Sequence, residues 1–309
     1  MNRTQVEGLF FTGLGIIGYG FMPIFTKAVL DTGFPALDLA VWRFGLAAPL
    51  FWLLVLLRDR RLSGSSSSKR PPRWHLLGLG FLISVSAMTS FWGLQRIPAS
   101  TFMVLFFTYP AMVALISLLL GERLSTQGWI ALALTIVGTV LTVPGFFTGF
   151  SDGDGPGFIW AILSAAIVAT YFLINPRITR GYRDMSRASA WTLTGAFLPV
   201  AVIGLVNGVT APPDPPVWAN VLGLAVVGTA LAIASMMVGL NKLGSSRTAI
   251  LSVLELPLSI VLAVWLLGDS MQPVQVLGGV LILISAVLLT APTTIHWPSF
   301  RRAGSPAEG

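Results

Sequence analysis

Apolar residues along this chain gather in runs of about 20 residues, separated by short polar stretches. A helix of that length crosses a hydrocarbon layer about 30 Å thick. Ten such runs fall at about 8–30, 36–57, 74–95, 98–119, 125–145, 157–176, 187–208, 217–240, 245–267 and 273–292. The longest stretch between them, Arg58 to Arg73, has 16 residues and leaves no room for an extramembrane catalytic domain. The pattern predicts an all-α polytopic membrane protein of ten transmembrane helices. The first run exceeds a signal-peptide core and contains no small-residue cleavage site, so it is expected to stay as an anchor.

Composition sharpens this picture. Of 309 residues, 19 are Lys or Arg and 12 are Asp or Glu, a charged fraction of 10%. Soluble domains carry roughly 25%, so a soluble globular protein is excluded. There is no cysteine, which removes disulfides, thiolate chemistry and cysteine metal sites. His75 and His296 lie far apart at predicted span ends, so no metal site or other cofactor is expected. The net charge of +7 does not predict a nucleic-acid partner, because most basic residues sit in short loops beside the runs, where they orient the chain in the bilayer. With a cytoplasmic amino terminus, 16 of the 19 basic residues face the cytoplasm, Lys27 and Arg96 face outward, and Arg43 lies within the second run. Both termini are therefore expected on the cytoplasmic side.

The two halves of the sequence resemble each other. Leu94 to Ile97, Pro98-Ala99-Ser100, an apolar run with Pro110 and then Gly121-Glu122 reappear as Leu240 to Leu243, Gly244-Ser245-Ser246, a run with Pro257 and Gly268-Asp269. With an offset of 147 residues Pro110 falls on Pro257 and Gly121 on Gly268. This gives a first five-helix repeat over 1–147, an external linker over 148–156, a second repeat over 157–292 and a cytoplasmic tail over 293–309. An odd number of crossings per copy inverts the second copy about an axis in the membrane plane. Loop charges agree: the basic loop after the second run corresponds to Val209–Pro216, which has no Lys or Arg, and the sparsely charged loop after the first corresponds to the arginine-rich stretch Arg177–Arg187.

These paired stretches, Gly93 to Ser125 and Gly239 to Asp269, resemble the doubled signature of the EamA family in the drug/metabolite transporter superfamily. The resemblance runs from the first span to the tenth. It implies a ten-helix carrier that moves small metabolites by alternating access, commonly exporting amino acids or related compounds across the inner membrane of a prokaryote. It also implies a central cavity lined chiefly by the first four helices of each repeat. Two positions depart from the family pattern: Asp269 stands where Glu is usual, and Glu255 lies two residues before Pro257 where many relatives have Glu beside Pro.

Glu255 is the most conspicuous candidate residue, because a charge near the bilayer midplane costs at least about 2.5 to 3.5 kcal/mol. Thr248, Ser252, Glu255 and Ser259 recur at helical spacing and form one polar stripe. Glu255 is either a neutral acid bonded to a neighbouring helix or a site for substrate or a coupled proton. Its counterpart is Thr108, flanked by Tyr109 and Pro110. Pro110 and Pro257 are candidate helix breaks or hinges that expose carbonyls to a cavity; packing alone is the alternative. Arg43, about 10 Å from its span end, either snorkels or pairs with Asp38, or binds a substrate carboxylate. Tyr19, Ser90, Trp92 and Tyr171 complete the residues expected to line the pathway. Ser65–Ser68 reads as a linker and Ser151–Gly155 as a solvated turn.

No phosphate-binding loop of the GxxxxGK[ST] type occurs, and neither HExxH nor GxSxG is present. The reading is a secondary transporter or facilitator for small metabolites, with amino acids, aromatic ones included, foremost, and not an enzyme. A channel-like pore and an intramembrane enzyme are the alternatives. The expected partners are a small-molecule substrate, the lipid bilayer and a coupled proton, with the chain acting as a monomer or a homodimer.

Overall fold

A computed structural model describes residues 3–61, 73–121, 125–142, 155–179, 184–243, 248 and 251–290. Over those residues all regular structure is helical. In chain order the helices are α1 (Arg3–Leu30), α2 (Ala36–Arg61), α3 (Arg73–Leu94), α4 (Ala99–Phe106), α5 (Tyr109–Leu119), α6 (Thr126–Thr142), α7 (Gly155–Ile178), α8 (Met185–Asn207), α9 (Pro215–Ala225), α10 (Ala232–Leu243), α11 (Glu255–Leu262) and α12 (Pro273–Thr290). A π-helical turn, Val226–Leu231, joins α9 to α10, and a second, Ala263–Leu267, extends α11.

Seven stretches are long and apolar enough to cross a membrane: Arg3–Leu30, Ala36–Arg58, Arg73–Leu94, Ala99–Leu119, Gly155–Asn175, Met185–Asn207 and Pro215–Leu240. Three shorter apolar helices, Thr126–Thr142, Glu255–Leu267 and Pro273–Leu289, occupy the fifth, ninth and tenth runs of the sequence. The fourth run is two helices, α4 and α5. Among the most exposed side chains are Leu205, Val206, Ile159 and Trp265, at 84, 81, 67 and 78%. An outer surface this apolar needs lipid around it, because water would leave it a continuous sticky patch.

Helices that share a hydrocarbon solvent gain little from apolar burial against one another, so close backbone approach at small residues holds them together. Gly80 of α3 faces the Thr192 carbonyl of α8, and Gly195 of α8 faces the backbone of Leu77. Gly138 of α6 lies against the Gly278 carbonyl of α12. Between the same two helices Thr135 and Ser285 share a hydrogen bond of 2.6 Å, and Gln275 Nε2 donates to the Thr142 carbonyl at 3.2 Å.

The packing has an internal symmetry. α1 packs on α9, the π turn and α10; α3 packs on α7 and α8; α2 packs on α8 and α9; α6 packs on α12; α4 and α5 pack on α7; and α11 packs on α1. Exchanging α1 with α7, α2 with α8, α3 with the α9–α10 segment, α4–α5 with α11, and α6 with α12 returns each of these pairs. Along α2 and α8 the contacts run Arg58 with Asp184, Trp52 with Trp191, Gly45 with Phe197 and Trp42 with Thr210. One series rises as the other stays on a descending partner end, so the two helices are antiparallel. The Ala131–Ser285 and Thr142–Gln275 contacts make α6 and α12 antiparallel too. In these two pairs, helices in equivalent places of the two halves run in opposite directions. Glu122, Arg123, the Ser65–Ser68 run, Ser151–Asp154 and the 293–309 tail lie outside the described residues.

Candidate functional site

Each of the two mid-span prolines removes an amide donor that the preceding turn would use. The chain accordingly turns at Phe107–Thr108, before α5, and at Val253–Leu254, before α11. Pro110 occupies the second position of α5 and Pro257 the third of α11. Thr108 is buried, and its Oγ1 donates to the Leu105 carbonyl at 2.7 Å, filling an acceptor beside the break. Glu255 becomes the first residue of a half-helix, where the positive end of the helix dipole favours an anion.

Arg43 of α2 is buried, at 7% exposure. It neither snorkels nor pairs with Asp38. The Asp38 carboxylate accepts from the Thr210 amide at 3.0 Å, tying α2 to the stretch after α8, while Arg43 turns inward. Its Nε donates to Thr229 Oγ1 at 3.1 Å and its Nη2 to Met22 Sδ at 3.0 Å. The guanidinium carbon lies 5.0 Å from the centre of the Phe44 ring and 5.8 Å from that of Phe91, close enough for cation–π attraction. No carboxylate of the described residues lies within ion-pair reach of it.

A cavity of about 20 Å³, enough for one water, is walled by the first half and reaches Glu255 of the second. Arg43, Ser90 and Glu255 line it together with Met22, Thr26, Phe91, Phe102, Met103 and Phe106. Arg43 and Glu255 therefore share one cavity without forming an ion pair. Tyr19 stands within electrostatic range of Arg43, Glu255 and Tyr171, and Tyr109 within range of Glu255. Tyr109 stacks on Phe172 with ring centres 5.3 Å apart. Tyr171 packs at the edge of the cluster formed by Leu76, Leu79 and Ala188. Ser90 is buried and shares a 2.7 Å hydrogen bond with Ser164, which also bonds Ser86 at 3.1 Å.

Other expected residues lie elsewhere. Trp92 is 36% exposed and packs at a tilt against Trp160 with ring centres 4.9 Å apart, away from the cavity wall. Ser252 donates to the Thr248 carbonyl at 2.8 Å and faces Met236 of α10. The turn at Val253–Leu254 interrupts the polar stripe between Ser252 and Glu255. Thr229, Met22 and Thr26 are site residues without a sequence signal, since a threonine or methionine in an apolar run reads as filler.

The Gly-acid signature also acquires a structural meaning. Gly121 and Gly268 both have positive φ, 89° and 70°, which glycine adopts without steric cost. The turn at Gly268 sends Asp269 to the start of α4. There its Oδ2 accepts from the Ser100 amide at 2.8 Å and the Ser100 hydroxyl at 2.9 Å. The signature of one half thus caps a helix of the other.

Comparison with known proteins adds a family. The profile of the EamA-like transporter family matches twice, over residues 6–143 and 155–291. The chain is 25% identical over 287 residues to the uncharacterized transporter YcbK of Bacillus subtilis, across 89% of this chain and 90% of that one. It is 24% identical over 282 residues to a probable terminal-alkyne amino-acid exporter of Streptantibioticus cattleyicolor, across 87% and 92%. A solved crystal structure superposes with a TM-score of 0.63 over 93% of this chain and 98% of that one; at 20% identity the likeness is one of fold.

Proposed function

This chain belongs to the EamA-like transporter family, and from that premise we propose that it is a secondary carrier exporting small zwitterionic metabolites. Amino acids with aromatic or large apolar side chains are the substrates the cavity suits best. The single observation that carries this reading is an arginine and a glutamate on one buried cavity that do not touch each other. A guanidinium fork suits a carboxylate, and a carboxylate suits an ammonium group. The remaining wall of Phe91, Phe102, Phe106, Met22 and Met103 offers aromatic and thioether surface to a side chain.

The proposed architecture is ten crossings in two inverted repeats, both termini on the cytoplasmic side of a prokaryotic inner membrane. Rocking of one repeat against the other exposes the cavity to each side in turn. A cavity for one water does not hold an amino acid, so substrate entry requires the halves to part. Contacts between the halves close it at both ends: Arg58 with Asp184 at 2.8 Å and Lys242 with Glu7 at one end, and Asp38 with Thr210 and Asp269 with Ser100 at the other. A transport cycle breaks one set while keeping the other.

Counterflow in liposomes holding the purified protein tests the proposal, using L-phenylalanine, other amino acids and their decarboxylated and deaminated analogues. Saturable exchange of zwitterions supports a carrier. Ohmic current in place of saturation supports a channel, and chemical conversion an enzyme; either result removes the proposal.

A further inference from the structure

Arg43 is a buried cation whose described partners are a hydroxyl, a thioether sulfur and two aromatic rings. Arginine has five N–H donors and no acceptor. The Nε and one Nη2 donor are used, while Nη1 donates to no described residue and belongs to a side chain on the cavity wall. The end of the fork is therefore presented to the cavity and its flank is held from behind.

Thr229 does the holding. Since arginine cannot accept, the Thr229 oxygen must accept from Nε, and its own proton goes to the Leu224 carbonyl 2.8 Å away. The residue is buried at 2% exposure, and both its hydrogen-bonding directions are used. Leu224 is five residues earlier, the spacing of a π turn, and Thr229 lies within the π turn Val226–Leu231. Insertion of such a turn shifts the side chains that follow it around the helix axis and is frequent at functional sites. Here it carries Thr229 across the boundary between the halves to the α2 guanidinium.

We propose that Thr229, set by this π turn, is the positioning residue that aims the Arg43 fork at a substrate carboxylate and so makes the carrier select carboxylated ligands. The inference deepens the zwitterion-carrier reading above and rests on it. Without the Thr229 oxygen the guanidinium keeps its charge and its place over Phe44 and Phe91, but its rotation about the side chain is no longer fixed.

The test is counterflow of L-phenylalanine in liposomes, with phenethylamine as a competitor that lacks the carboxylate, for the wild type, Thr229→Val and Thr229→Ser. Loss of one hydrogen bond to a charged group predicts that Thr229→Val raises the half-saturation constant for L-phenylalanine about tenfold. The maximal rate and inhibition by phenethylamine stay unchanged, and Thr229→Ser restores the wild-type constant. Equal weakening towards both ligands, a serine variant no better than valine, or an unchanged constant in Thr229→Val overturns the proposal while leaving the carrier reading intact. A wild type that neither exchanges L-phenylalanine nor is stabilised against heat by it or by phenylacetate overturns both. If the valine variant does not fold, Thr229→Ala replaces it and is judged by the same criteria.

Discussion

A buried guanidinium without a carboxylate beside it is a poor choice for stability, since desolvating a charge costs several kcal/mol that only excellent partners return. Arg43 has modest partners and Glu255 shares its cavity, an arrangement that the proposed zwitterionic substrate would complete. Arg43→Lys keeps the charge but loses the planar fork; a drop of about 1.5 to 3 kcal/mol in carboxylate binding follows, seen as a tenfold to hundredfold rise in half-saturation constant during counterflow. Glu255→Gln is expected to leave a folded protein and to abolish any acceleration of flux by an imposed proton gradient; unchanged gradient dependence rules out a coupling role for this carboxyl. Both residues stand out in the sequence, because a charge inside an apolar run is expensive and visible. Thr229 does not, because its importance comes from the residue opposite.

At the scale of the helix, the prolines are legible but their consequence is not uniform: the chain turns two to four residues ahead of Pro110 and Pro257, while Pro23, Pro49 and Pro199 lie inside continuous helices. The glycines are legible only as small residues. What each one faces is a matter of which helices meet, as Gly195 and the Leu77 backbone show. A methyl group at Gly195 has no room, so Gly195→Ala is expected to push α3 from α8 and to cost about 1 to 3 kcal/mol, measured as a lowered melting temperature in detergent. Gly78, whose Cβ would meet nothing within 4 Å, is the control, and Gly78→Ala should melt as the wild type does. The π turns had no counterpart in the expected pattern, since an apolar run reads alike in α and π geometry.

For the whole molecule, the decisive question is the relative direction of the two halves. The absence of cysteine makes single-cysteine labelling clean. Val209→Cys and Arg73→Cys, at corresponding places of the two halves, are expected to react with an impermeant maleimide from opposite sides of the membrane; reaction from the same side contradicts the inverted arrangement. The sequence by itself determined the lipid environment, the helical segments, the duplicated plan and the two charges set in apolar surroundings, because hydrophobic length, proline and charge act through local free energies that each residue carries with it. The tertiary structure alone decided that Arg43 turns from Asp38 towards Thr229, that it shares a cavity with Glu255, that Trp92 packs against Trp160, and that Asp269 caps the opposite half. Those outcomes depend on distances between segments far apart in the chain, which packing sets and composition does not encode.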